Sequence, residues 1–197
     1  MKTLKLILFY ILSFTWGILV TSYGCICALV MLIIGKKPEK FHNRIYFRVG
    51  KDWGGFEAGP FFFCDETPTL ELKQHECGHG IQNIVLGPLT PFLVSLPSAL
   101  RYWMREFRTQ KGKKIFTSIT LSVIGLISLG LLILGIVKHL IPLIILFGAF
   151  LIWSIAAAIW MFVFEIPKYA YRYVPYDEAI FEKNATELGK KYFPEEK

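Results

Sequence analysis

The sequence predicts a mostly helical integral membrane protein. About three transmembrane helices, one membrane-dipping segment, a small β-hairpin and a pair of site-bearing helices on the cytoplasmic face make up the expected fold. Three observations carry that reading. The 197 residues are 54% hydrophobic and only 19% charged, with mean hydropathy +0.47, whereas soluble domains carry about 25% charge. The apolar excess is concentrated in charge-free runs rather than spread as a larger core would be. A single motif, His75-Glu76-Cys77-Gly78-His79, places two histidines at helical spacing with an acid between them.

The first run is Leu6 to Ile34, longer than the roughly 20 apolar residues a spanning helix needs. Lys2 and Lys5 resemble the n-region of a signal peptide, but an h-region stops after about 7–15 residues. Residues 1–35 are therefore expected to be a retained N-terminal transmembrane helix. Ile115 to Val137 and Leu140 to Phe164 follow, separated only by Lys138 and His139. They read as a transmembrane helical hairpin over 115–164, with Pro142 tolerated in the first turn of the returning helix. Ile84 to Leu100 is also uncharged but short and broken by Gly87, Pro88, Pro91 and Pro97. Within 88–114 it is expected to dip rather than cross, ahead of a basic loop.

Net charge is +7, from 22 Lys plus Arg against 15 Asp plus Glu. Beside apolar spans, that excess marks loops on the side of anionic lipid, not a nucleic-acid partner. Lys36, Lys37, Lys40, Arg44, Arg48 and Lys51 follow the first run, and Arg101, Arg105, Arg108, Lys111, Lys113 and Lys114 precede the hairpin. The positive-inside rule then puts the N-terminus outside and residues 35–114 and 165–197 in the cytoplasm, in a bacterial plasma membrane. Cys25, Cys27, Cys64 and Cys77 form no CxxC pair and no disulfide framework in that compartment.

In 36–66, Arg44 to Val49 and Phe56 to Phe63 flank a turn at Asp52-Trp53-Gly54-Gly55, which predicts two antiparallel strands. A free strand edge there could hold a peptide by strand addition. The motif helix is expected over 67–87, with a Thr N-cap, Pro68 in its first turn and Gly87-Pro88 as its stop. On it, positions i and i+4 share a face, so His75 and His79 can hold one Zn²⁺ while Glu76 reaches a water on the metal. His42 and His139 have no such company and read as a loop residue and the hairpin tip.

A third ligand must come from the tail, 165–197, where Glu165, Asp177, Glu178, Glu182 and Glu187 are available. Tyr176 to Tyr192 reads as a helix with Glu178, Glu182, Ala185 and Gly189 along one face. Glu182 lies mid-helix, one turn before a small residue that allows close approach to the histidine helix. Glu178 and Asp177 are the other choices. Among Tyr169, Tyr171, Tyr173 and Tyr176, the last is the first choice for an oxyanion partner, and the rest read as an interfacial aromatic belt, as does Trp103. Gln82 and Asn83 are placed to orient the histidines or to cap the helix.

HExxH followed much later by Glu-x-x-Ala resembles the gluzincin pattern. With two spans between the motifs, the chain is similar to the M48 heat-shock and CAAX-prenyl endopeptidases embedded in membranes. That resemblance implies a zincin-like pair of helices with His75, His79 and Glu182 as metal ligands and Glu76 as general base. Thr186 stands where the family has an Asp. The string His75 to Asn83, with Leu96-Pro97-Ser98, also resembles uncharacterised bacterial HExGHxxQ membrane proteins. Site-2-type intramembrane proteases share HExGH but take an Asp from an LDG motif, which Asp177 lacks.

The function these readings imply is zinc-dependent hydrolysis of a peptide or membrane-protein substrate at the bilayer. The alternatives are a non-catalytic adaptor or assembly protein with a structural zinc, and a zinc hydrolase of a lipid-linked substrate.

Overall fold

The protein is described from a computed structural model covering residues 2–195. Its elements in chain order are α1 (Lys2–Phe14), α2 (Ile18–Ile33), β1 (Glu39–Phe41), β2 (Arg44–Gly50), β3 (Gly55–Ala58), β4 (Phe61–Asp65), α3 (Leu70–Leu86), α4 (Leu96–Arg105), α5 (Gln110–Val137), α6 (Ile141–Ile159), α7 (Ile166–Lys168) and α8 (Ile180–Tyr192). Contacts divide the chain into one unit of residues 1–94 and 176–197, and a second of residues 95–175.

The first unit is built around a sheet of order β1-β2-β4-β3. β1 and β2 are antiparallel, β2 and β4 parallel, and β3 and β4 antiparallel. The expected antiparallel hairpin of residues 44–49 and 56–63 is thus corrected: 56–63 falls in two strands, β3 and β4, which pair with each other, and β4 lies beside β2 in parallel. Composition explains the order. Phe61-Phe62-Phe63-Cys64 is apolar on both faces and suits a central strand, whereas Gly55-Phe56-Glu57-Ala58 carries an acid and suits an edge. Tyr46 stacks on Phe62 at 4.9 Å, and Phe47 on Phe63 at 5.7 Å.

Period-2 alternation then gives the sheet two covers. Phe47, Phe63 and Ala58 pack with Val20 and Ala28 of α2. Tyr46, Phe62 and Cys64 pack with Cys77 of α3 and with Phe193 just past α8. α2 is therefore one outer layer of this unit and the α3–α8 pair the other.

The single N-terminal helix expected over Leu6 to Ile34 is two helices, bent by 92°. The break at Thr15-Trp16-Gly17 is held from α3. Trp16 Nε1 donates to the Val85 carbonyl at 3.3 Å, a Cβ on Gly87 would strike the Trp16 ring, and one on Gly17 would meet the Asn83 amide. The cap of α3 also differs from expectation. Thr69 Oγ1 accepts from Leu72 N at 3.2 Å, so Pro68 precedes the helix. Gly87 ends it at φ +55. Tyr176–Glu178 forms a 3-10 turn, and α8 begins only at Ile180.

The second unit is the hairpin of α5 and α6 with α4 and α7. α5 (28 residues) and the continuous helix Ile141–Lys168 (28 residues) are each long and apolar enough to cross a membrane. They turn at Lys138 and His139, the latter at φ +55. The segment expected to dip is not one element: α3 runs through Leu86, and α4 takes Leu96 onward. Two of the basic residues expected in the loop before the hairpin are buried instead. Arg101 Nε donates to Glu165 Oε1 at 2.5 Å and its Nη2 to the Pro175 carbonyl at 2.7 Å. Lys113 Nζ donates to the Met104, Arg105 and Phe107 carbonyls, closing the end of α4.

Candidate metal centre

The centre is made where α3 and α8 touch backbone to backbone. A Cβ on Gly78 would strike the Ala185 carbonyl, and one on Gly189 would strike that of Gln74. These two glycines let the helices approach closely enough for side chains of α8 to reach the histidine face of α3.

His75 Nε2 and His79 Nε2 lie 3.0 Å apart, and each is 3.1 Å from Glu182 Oε2. The two rings are perpendicular at 88°. Glu182 is fully buried, while His75 and His79 keep a narrow exposed edge. Among the described residues these three form the group of side chains able to hold a metal ion.

The other nitrogen of each imidazole is anchored. His79 Nδ1 donates to Gln82 Oε1 at 2.8 Å. Gln82 Nε2 in turn donates to the Phe181 carbonyl at 2.7 Å and to Asn184 Oδ1 at 2.9 Å, which fixes the amide orientation. His75 Nδ1 pairs with Thr186 Oγ1 at 2.9 Å. Thr186 thus occupies the partner position behind a ligand histidine with a neutral hydroxyl. The Gln82 anchor leaves the His79 Nε2 lone pair toward Glu182, the tautomer a metal requires, and the Thr186 hydroxyl can accept from His75 Nδ1–H in the same tautomer.

The donor set suits a divalent transition metal. Two imidazoles and one carboxylate are a catalytic zinc set. A tetrahedral ion with bonds of about 2.0–2.1 Å spreads its ligands about 3.3 Å apart, and the triangle is only slightly tighter. Without a cation, a proton takes over part of that role. Burial pulls the His79 pKa down, but the hydrogen bond and charge of Glu182, with Glu76 and Gln82, outweigh it and lift the value to about 9.

Glu76 is buried, and its Oε2 has no hydrogen-bond partner among the described residues. Burial raises its pKa against the pull of both histidines. Gly55 of the edge strand β3 lies against its Oε1, too close for any Cβ. Tyr176 stands with its ring 6.4 Å from that of His75. Asp177 and Glu178, the other third-ligand choices, lie in the turn before α8 and outside the group. Tyr171 and Tyr173 are exposed. Asn83 is buried beside Gly17 and contacts no ligand histidine through a hydrogen bond among those described.

Two charged neighbours of the group carry no motif. Glu57 follows Gly55 on the same face of β3, and its Oε1 accepts from Gly59 N at 2.6 Å. Burial raises its pKa to about 7, opposed by Arg44 and His79. Arg44 is buried, donates to the Gly59 and Cys77 carbonyls at 2.5 and 3.2 Å, and lies 4.0 Å over the Phe9 ring. Its guanidinium fills the space where Gly80 lacks a Cβ, so the glycine after HExxH was the available signal. Burial pushes the Cys64 and Cys77 thiols up to about 12, leaving them as core residues rather than ligands.

Compared with models of known families, with curated proteins and with solved structures, the chain matches none.

Proposed function

We propose that the protein is a membrane-embedded zinc metallopeptidase of gluzincin type, hydrolysing a peptide or membrane-protein substrate. The observation that carries the reading is the meeting of the His75–His79–Glu182 triangle with a buried Glu76 carboxylate oxygen that no group among the described residues satisfies.

His75, His79 and Glu182 hold the metal, and zinc is the ion their chemistry favours. Bound there, it supplies Lewis acidity that polarises an amide carbonyl and acidifies a water. Gln82 holds His79 in the ligating tautomer, and Thr186 can accept from His75 Nδ1–H. Glu76 Oε2 accepts the proton from the attacking water and returns it to the leaving amine. Tyr176, at the rim beside His75, is the group available to donate to the developing oxyanion. β3 is an edge strand, so an extended peptide can pair with it beside Glu76. α5 and α6 anchor the enzyme in the membrane, the lysines and arginines outside the spans favour a cytoplasmic site, and a bacterial plasma membrane follows only from the resemblance to bacterial HExGHxxQ proteins.

The test compares wild type and Glu76→Gln, purified in detergent, by metal analysis and by cleavage of a peptide library. Both are expected to retain zinc, with cleavage lost in the variant. Cleavage by Glu76→Gln at the wild-type rate, or zinc-loaded wild type inert on peptides, would overturn the reading.

A further inference from the structure

We propose that α1 and α2 form a wedge seated in one leaflet of an anionic bilayer, with both ends of the wedge on the same membrane face as the sheet that α2 packs against. The N-terminal apolar run then does not cross the membrane, whatever the chemistry of the metal centre.

The lengths point that way first. α1 has 13 residues and α2 has 16, about 20 and 24 Å of helix, against a hydrocarbon core of about 30 Å. Bent at 92°, the two do not add into one rod.

The sheet decides the depth. α2 buries Val20, Thr21, Gly24 and Ala28 against β2, β3 and β4. A Cβ on Gly24 would strike the Ala58 carbonyl, so helix and sheet are in direct backbone contact. α2 and the sheet therefore share one depth. The sheet has two open edges, β1 and β3, and exposes Lys40, Lys51 and Asp52. Open edges and exposed charges do not sit in hydrocarbon. A helix fastened to such a sheet cannot have lipid around its whole circumference.

Yet the outer faces demand lipid. Leu4, Ile7 and Ile11 of α1 are 71%, 51% and 53% exposed, and Tyr23, Ile26 and Ile33 of α2 are 56%, 63% and 75% exposed. Their spacing of three, four and seven puts each set on one helix face. An apolar surface of this extent is not left in water. The charges identify the lipid: Lys5, Lys36 and Lys37 are exposed at the outer ends of the two arms, and no acidic residue precedes Glu39. Basic ends flanking an apolar face match an anionic headgroup layer.

The experiment uses full-length protein in sealed membrane vesicles of both orientations. Cys25→Ala and Cys27→Ala remove the accessible thiols, since Cys64 and Cys77 are buried. Lys5→Cys and Lys37→Cys are then labelled separately with a membrane-impermeant maleimide. Both are expected to react in the same vesicle orientation, with loss of labelling in the other; reaction in opposite orientations would overturn the wedge. A nitroxide at Ile26→Cys is expected to be reached by oxygen and shielded from aqueous nickel. Full nickel access there would equally overturn it, because the face would then be in water.

Discussion

Gln82 and Thr186 do different work behind the two proposed ligand histidines. Gln82 offers His79 an amide oxygen locked by two further bonds, while Thr186 offers His75 a rotatable hydroxyl. Gln82→Leu removes the acceptor and leaves His79 free to turn, and outer partners of this kind are worth about 10–100-fold in metal affinity. A loss in that range, measured by competition with a zinc chelator, is the expected outcome. Thr186→Asp should tighten binding by making His75 a stronger base. Glu57 and His79 also set a pH dependence for the metal-free protein. The folded pKa of Glu57 is raised to about 7, above its ordinary carboxylate value, so the unfolded chain releases that proton first. Stability falls as pH rises through the window between them and levels off above about 7. His79, raised to about 9, contributes stability below about 6.5 that is lost as pH climbs to about 9. Thermal melts should therefore show a metal-free protein weakening from pH 5 to 9. Glu57→Gln should flatten the lower part of that fall, and zinc should flatten the upper part.

Helix pairing was the most legible element of the fold, because small residues at helical spacing leave a pattern. Ala185 and Gly189 lie at i+3 and i+7 from Glu182, and the structure puts them against Gly78 and Gln74. Gly78→Val tests that packing. Its side chain would collide with the Ala185 carbonyl, and overpacking of this sort costs about 1–3 kcal/mol. Zinc retention should fall because Glu182 is displaced with α8, while a Gly130→Val control, on an open surface of α5, should leave it unchanged. The sheet was less legible for a physical reason. Alternation fixes which face each strand presents, not which strand is its neighbour, so one strand over 56–63 was expected antiparallel to β2, whereas the chain turns between β3 and β4 and β4 joins β2 in parallel. The break at Gly17 was hidden too. Hydropathy counts apolar residues, and this bend is made by contacts from Val85, Gly87 and Asn83 some seventy positions away. Glu57 and Arg44 escaped for the same cause, since their roles come from tertiary neighbours and not from spacing.

At the scale of the whole molecule, the proposed metal ligands sit on two stretches of one unit, with the second unit inserted between them in sequence. That insertion contains α5 and the helix from Ile141, each long enough to cross a membrane. Parity matters here. In the proposed membrane placement, two crossings return the chain to the face it left, so α8 can meet α3; one or three would leave Glu182 on the opposite face from His75 and His79. Adding a span costs nothing at the site itself, because Lys138 and His139 at the tip are far along the chain from every ligand. A single hydrophobic span inserted after His139 is therefore expected to reduce zinc retention to the level of Glu182→Ala, read by metal analysis of the purified protein. Two spans joined by a short polar loop at the same point should restore it. Equal retention in the one-span and two-span proteins would show that α5 and α6 do not cross, and that the ligands meet without help from the membrane.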